Sequence, residues 1–156
     1  MAQKHDVIVI GAALNGLTMA LALGGHRLRR PLSVALVDVR DPRDGLQRAA
    51  DGRASAITLA SRRMFEALGL WQEMQCFAQP VTQIVVTDAS GAASARPVLL
   101  QFETEAAAGE SSMLLFDNRD LLAALVAGRQ SSPAITLHTG SAVKEVSTQG
   151  PGLARA

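Results

Sequence analysis

The first chemical signal is a run of six residues, Gly11-Ala12-Ala13-Leu14-Asn15-Gly16, which follows a β-branched stretch and opens a helical one. A strand-to-helix turn of this kind offers the free N–H groups of a helix N-terminus to an anion. In the G-x-G-x-x-G dinucleotide fingerprint, the first glycine permits the tight turn and the second lets backbone approach a pyrophosphate. The third lets helix and strand pack closely. Gly11 and Gly16 occupy the first and third places, whereas Ala13 puts a methyl group at the second, where it crowds a pyrophosphate. Asp38 lies 22 residues after Gly16, at the end of the next apolar run. A carboxylate there accepts hydrogen bonds from an adenosine ribose. NAD and FAD both satisfy this arrangement.

Other reactive residues form no site. His5, His26 and His138 are scattered without metal-ligand spacing, and no Ser/His/Asp or Cys/His nucleophile set can be assembled. The single Cys76 excludes an internal disulfide and a CxxC motif, and is expected as a packed thiol. Glu103, Glu105 and Glu110 read as a solvated acidic loop, and Arg27, Arg29 and Arg30 as a solvated turn.

The segment Asp51-Gly52-Arg53-Ala54-Ser55-Ala56-Ile57-Thr58-Leu59-Ala60-Ser61, running into Leu68-Gly69-Leu70-Trp71, discriminates further. With Phe116-Asp117-Asn118-Arg119-Asp120-Leu121, Leu125, Ile135-Thr136-Leu137-His138, Gly140 and Val143, it resembles the ubiquinone-biosynthesis hydroxylases. These are a branch of the flavin-dependent aromatic monooxygenases built like para-hydroxybenzoate hydroxylase. The resemblance covers nearly the whole chain.

It implies FAD as cofactor, with NAD(P)H as a transient reductant and O2 as the oxidant that hydroxylates an electron-rich ring. The implied substrate is a polyprenyl phenol, and its lipid tail implies a peripheral encounter with a membrane or with pathway proteins. By the resemblance, Gly11, Ala13 and Gly16 fall on the pyrophosphate turn and Asp38 on the ribose carboxylate. Arg53 falls on the arginine against the phosphate and ribitol region, where a guanidinium offsets a buried diphosphate. Asn118 falls where many relatives place an arginine touching the isoalloxazine side. Without the resemblance, Arg53 reads equally as a solvated loop residue and Asn118 as a helix N-cap.

The elements that must position these residues follow from hydrophobic periodicity. Asp6 to Ile10 reads as a strand, Leu14 to Leu23 as a helix stopped by Gly24-Gly25, and Ser33 to Asp38 as a parallel strand. Together they make one βαβ unit. Asp41 to Arg53 reads as an irregular connection. A helix from an N-cap at Ser61 buries Met64, Phe65 and Leu68 and stops at Gly69. Gln83 to Asp88 and Pro97 to Phe102 read as an antiparallel hairpin turning at Ser90-Gly91. Arg119 to Ala127 reads as a helix carrying Leu121, Leu122 and Leu125, and Ile135 to His138 and Ala142 to Val146 as two short strands. The expected class is α/β, a Rossmann-like FAD-binding βαβ unit with a parallel sheet plus the start of an antiparallel substrate-domain sheet. In this reading residues 1–80 and 113–146 belong to the dinucleotide-binding part and 81–112 to the substrate part. Residues 147–156 form a frayed end without an element.

Composition sets the outer limits. The 156 residues are 48% hydrophobic and 19% charged with a formal net charge of +1, which excludes full disorder. Only five aromatics are present and no dense basic run, so nucleic acid is not an expected partner. The apolar stretch Val7 to Gly25 is broken by Gly11 and Gly16 into strand and helix rather than forming a membrane span, which points to a cytoplasmic location. By the resemblance, a later Gly-Asp motif and most of the substrate sheet have no counterpart here. The chain is therefore expected to be an N-terminal portion that is inactive alone and open to self-association through an uncovered sheet edge. The alternatives are a non-catalytic nucleotide-binding or interaction module, and a truncated gene product.

Overall fold

A computed structural model of the chain describes residues 4–47, 52–87, 97–104, 111–148 and 154–155. The βαβ unit forms as expected. Strand β1 (Val7–Ile10) leads through the glycine turn into helix α1 (Leu14–Gly24), and β2 (Val34–Val37) lies parallel to β1 with Val7 opposite Val34. The third strand of this sheet comes from far along the chain. The strand Ile135–His138 pairs parallel with β2, Val34 opposite Ile135, so β2 is the central strand. Central position explains its composition: Val34, Ala35 and Leu36 are all buried, as in parallel strands covered on both faces.

Between these strands the chain builds several further elements. Helix α2 (Pro42–Gln47) replaces the irregular connection expected after Asp41. Its cause is a local cap: the Asp41 carboxylate accepts the Arg43 N–H at 2.9 Å, and Pro42 brings a helical φ to the first position. Strand β3 (Ala54–Thr58) follows, then α3 (Leu59–Leu68). The N-cap of α3 is Thr58 rather than Ser61; its hydroxyl accepts the Ser61 N–H at 3.3 Å. Gly69 ends α3 in the left-handed conformation as expected, and α4 (Trp71–Met74) follows it. Of the expected α3 stripe, Phe65 is buried and Leu68 half-buried, whereas Met64 is exposed because it borders an open groove. Cys76, expected to be packed, is exposed in the short turn after α4, its Sγ 3.4 Å from the Glu73 carbonyl oxygen.

Strands β4 (Gln79–Pro80), β5 (Gln83–Thr87), β6 (Val98–Glu103) and β7 (Met113–Asp117) complete the antiparallel part. β7 pairs with both β3 and β4, while β5 and β6 make the expected hairpin as a separate two-stranded sheet. The expected turn at Ser90-Gly91 lies outside the described residues, as do Glu105 and Glu110. Glu103 belongs to β6 rather than to a loop. One face of the hairpin carries Ile84 opposite Phe102 and Val86 opposite Leu100, and Val86, Leu100 and Phe102 are exposed.

Helix α5 (Asn118–Gln130) begins directly after β7, and β8 (Ile135–His138) returns to the parallel sheet. Ala142 to Val146, expected as a strand, has no strand structure. The last ten residues, read as lacking any element, instead contain β9 (Ser147–Thr148) paired antiparallel with β10 (Ala154–Arg155). Gly150-Pro151-Gly152 lies outside the described residues.

One core ties these elements together. Leu17, Ala20 and Leu21 of α1 pack with Val34 and Leu36 of β2, Ile135 of β8, and Leu121, Leu125 and Val126 of α5. Phe65, Leu70, Met74 and Phe116 extend it toward the antiparallel sheet. Trp71 meets Phe116 edge-on at 6.0 Å between ring centroids, and Arg62 lies over Trp71 at 5.0 Å. The core thus links β7 and the start of α5 to the sheet that carries the glycine turn. Among the described residues no helix is long and apolar enough to cross a membrane.

Candidate dinucleotide site

The glycine turn owes its shape to two positions. Gly11 has φ of 98°, a conformation that side-chain-bearing residues rarely adopt, and its N–H donates to the Val37 carbonyl at 2.8 Å. Gly16 is fixed by crowding instead. A Cβ there would sit 1.7 Å from the Gly11 carbonyl oxygen, so helix and turn approach as closely as a bare backbone allows. Ala13 has an ordinary extended backbone (φ −81°, ψ −171°) and an exposed side chain, so its methyl is tolerated by the backbone and stands at the mouth of the helix. It offers no side-chain acceptor to α1, and no acidic residue stands in the first turn. The first N–H groups of α1 are therefore left for an outside anion.

Asp38 is tied to this turn. Its Oδ2 accepts the Ala12 N–H at 2.6 Å and its Oδ1 accepts the Arg40 N–H at 2.8 Å. The Arg40 and Ala12 N–H groups outweigh partial desolvation and hold the carboxyl below its ordinary value. A carboxylate has about four lone-pair sites. The backbone N–H groups around Asp38 do not use them all, and the remaining acceptor capacity serves ligand hydroxyls.

The opposite wall comes from β3 and the start of α5. The Asn118 N–H donates to the Arg53 carbonyl at 3.0 Å, which clips the approach to β3 onto the first residue of α5. The N-cap of α5 is Asp117, whose Oδ1 accepts the Arg119 N–H at 2.7 Å; the side chain of Asn118 is thereby spared from capping. It instead accepts the Ser55 hydroxyl on Oδ1 at 2.5 Å. The third wall is α2, held against α5 where a Cβ at Gly45 would meet Leu122 at 2.8 Å. Its C-terminal carbonyl at Leu46 accepts from the Arg119 guanidinium at 2.8 Å.

These walls enclose an open cleft of about 710 Å³. Ala13, Asp38, Arg53 and Asn118 all line it, while Gly11 and Gly16 form the turn behind. Four expected site residues drawn from separate segments thus face one space. The sequence reading missed Ser55 and Arg40, which line the same cleft. Ser55 had a signal: it follows Arg53 by two positions, the spacing that places residues on one side of an extended segment. A smaller apolar groove of about 420 Å³ adjoins the cleft, sharing Leu14, Asn15 and Ser55 and lined further by Met19, Met64 and Phe65. Among the described residues no cluster of His, Cys, Asp and Glu could hold a metal ion.

The chain is 33% identical over 132 residues to the ubiquinone hydroxylase UbiL of Rhodospirillum rubrum, a match covering 85% of this chain and 28% of that protein. Over the part it spans, the chain is similar to a ubiquinone hydroxylase. It thus spans under a third of the length of this relative. No protein-family model matches the chain. Among solved structures, a variant of PqsL from P. aeruginosa superposes with a TM-score of 0.71 at 16% identity, covering 96% of this chain and 37% of that one. The flavin-dependent monooxygenase PieE, crystallised with FAD and substrate, superposes with a TM-score of 0.59 at 20% identity, covering 86% of this chain and 23% of that one. These likenesses establish the mixed α/β fold with its parallel and antiparallel sheets.

Proposed function

We propose that this chain forms the dinucleotide-binding part of an FAD-dependent monooxygenase that hydroxylates an aromatic polyprenyl phenol of ubiquinone biosynthesis. The observation that carries the proposal is the convergence of Ala13, Asp38, Arg53 and Asn118 on one cleft. Its volume lies within the roughly 300–1,000 Å³ common for ligand sites.

The residues fit the group chemically. The uncapped N-terminus of α1 takes the pyrophosphate, and Asp38, ionised at neutral pH, accepts from ribose hydroxyls. Arg53 offsets the diphosphate charge, and Asn118 meets the flavin half. FAD, when bound, would supply the redox chemistry between NAD(P)H and O2. The chain's own contribution is to orient the cofactor between the turn and the β3–α5 wall. The apolar groove beside the cleft and the uncovered face of the β5–β6 hairpin are surfaces that the rest of a longer hydroxylase would complete. We therefore propose that the 156-residue chain alone binds FAD weakly and does not hydroxylate.

Calorimetric titration with FAD, ADP and NAD tests the reading. FAD is expected to bind more tightly than ADP, with NAD weaker than both and no NADH-dependent oxygen uptake. Preference for NAD, or no binding of any of the three, would overturn it. Stoichiometric flavin copurifying with oxygen uptake would overturn the inactivity of the isolated chain.

A further inference from the structure

Ser55 on β3 and Asn118 at the start of α5 lie 63 positions apart, yet their side chains meet at 2.5 Å between Oγ and Oδ1. Backbone pairing holds them in register: Ala54 is opposite Asp117, Ser55 is opposite Phe116, and the Asn118 N–H is bound to the Arg53 carbonyl. Phe116 is buried in the core, so the strand that delivers Asn118 is anchored from behind.

A carboxamide presents one acceptor oxygen and an NH2 group with two donors, and its orientation is decided by its neighbours. The Ser55 contact decides it here. Its length is that of an O–H···O bond, about 2.5–3.0 Å, and falls short of the 2.7–3.2 Å usual for N–H···O. With Oδ1 engaged by Ser55, the Nδ2 group is the part of the amide left to the cleft that both residues line.

We propose that Ser55 is a positioning residue that fixes the Asn118 amide with its NH2 group toward the cleft, where it donates to acceptor atoms on the flavin half of FAD. This rests on the FAD reading above. Asp38 on the parallel-sheet side serves the adenosine half, so the Ser55–Asn118 pair bears on FAD and not on ADP. A neutral donor beside Arg53 adds direction to a wall whose other polar group supplies charge.

The test uses the 156-residue chain and its Ser55→Ala, Asn118→Ala, double and Ser55→Thr variants. FAD and ADP affinities are measured by calorimetry, and the Asn118 side-chain NH2 resonances by 15N NMR without ligand. Ser55→Ala is expected to weaken FAD roughly tenfold, the loss of one hydrogen bond, with ADP unchanged. Asn118→Ala should lose at least as much, and the double variant no more than Asn118→Ala alone, because Ser55 acts through Asn118. Ser55→Thr, which keeps the hydroxyl, should restore FAD binding. In the free protein, Ser55→Ala should shift and broaden the Asn118 NH2 pair.

Unchanged FAD affinity in Ser55→Ala, equal losses for FAD and ADP, or multiplying losses in the double variant would overturn the role of Ser55. If the parent chain binds ADP but not FAD, the FAD reading fails instead. The free-protein resonance still decides the amide orientation in that case, and an unmoved Asn118 pair in Ser55→Ala overturns it. Should Ser55→Ala fail to fold, Ser55→Cys, close in size but a weak donor, carries the same comparison.

Discussion

The carbonyl oxygen of Gly11 occupies the space in which any side chain at Gly16 would begin, 1.7 Å from the position of a Cβ. The neighbouring atom is backbone and cannot swing aside as a side-chain end would. Gly16→Ala should therefore cost on the order of 3 kcal/mol, the upper part of the overpacking range and a large share of a small domain's stability. Denaturant unfolding followed by circular dichroism reads this directly. A loss below about 1 kcal/mol would mean the turn relaxes without penalty.

Asp38 predicts a pH dependence. Its folded carboxyl is held below the ordinary value of 3.8, so the stabilisation is complete above that value and is lost as pH falls through the lowered one. Asp38→Asn should remove this acid-side loss and lower stability at neutral pH by about 1.5–3 kcal/mol, the worth of hydrogen bonds to a charged group. Thermal melts between about pH 3 and pH 7 for both proteins check it. Parallel melting curves would show that Asp38 carries no such linkage.

Ala13 caps α1 without a side-chain bond and borders the cleft. Ala13→Gly should tighten FAD and ADP alike, by roughly three- to tenfold, since it removes a methyl beside the pyrophosphate and glycine is the better N-cap. Calorimetric titration with both ligands is the measurement, and unchanged affinities would move the pyrophosphate away from the turn.

Arg53 stands on the wall opposite Asp38. Arg53→Ala should weaken both ligands, because both carry the diphosphate, and FAD several-fold more than ADP, because only FAD also offers the ribitol to the guanidinium. Equal weakening of the two ligands would confine Arg53 to the diphosphate they share and remove it from the ribitol.

How much of this was readable depends on how local each cause is. β1, the glycine turn, α1, β2 and Asp38 lie within one continuous stretch, and their apolar runs and punctuation report them directly. β3 and β7 were not evident as strands, because each acquires its identity from the other across the intervening hairpin. The burial of β3 alternates residue by residue, with Ser55 and Ile57 the more covered, but its small polar side chains mute that pattern in the sequence. Ala142 to Val146 shows the opposite failure, a short valine-bearing stretch read as a strand that forms none. α2 had a legible signal in Asp41-Pro42 that was outweighed by the surrounding arginines and glycines. The resemblance supplied Arg53 and Asn118, whereas their hydrogen-bonded link through Ser55 depends on tertiary pairing and appears only in the fold.

The strand order β1-β2-β8 also sets a folding sequence. β1 and β2 are joined by α1 alone, whereas β8 reaches β2 after the whole antiparallel part and α5 have intervened. Closing that longer loop costs more chain entropy and is slower. The β1-α1-β2 unit should therefore assemble early and β8 dock late. Ile135→Val, which trims a buried side chain of β8, should accelerate unfolding while leaving the refolding rate nearly unchanged in stopped-flow measurements. Slowed refolding would place β8 in the nucleus instead, and the far end of the chain would then govern how fast the dinucleotide turn takes shape.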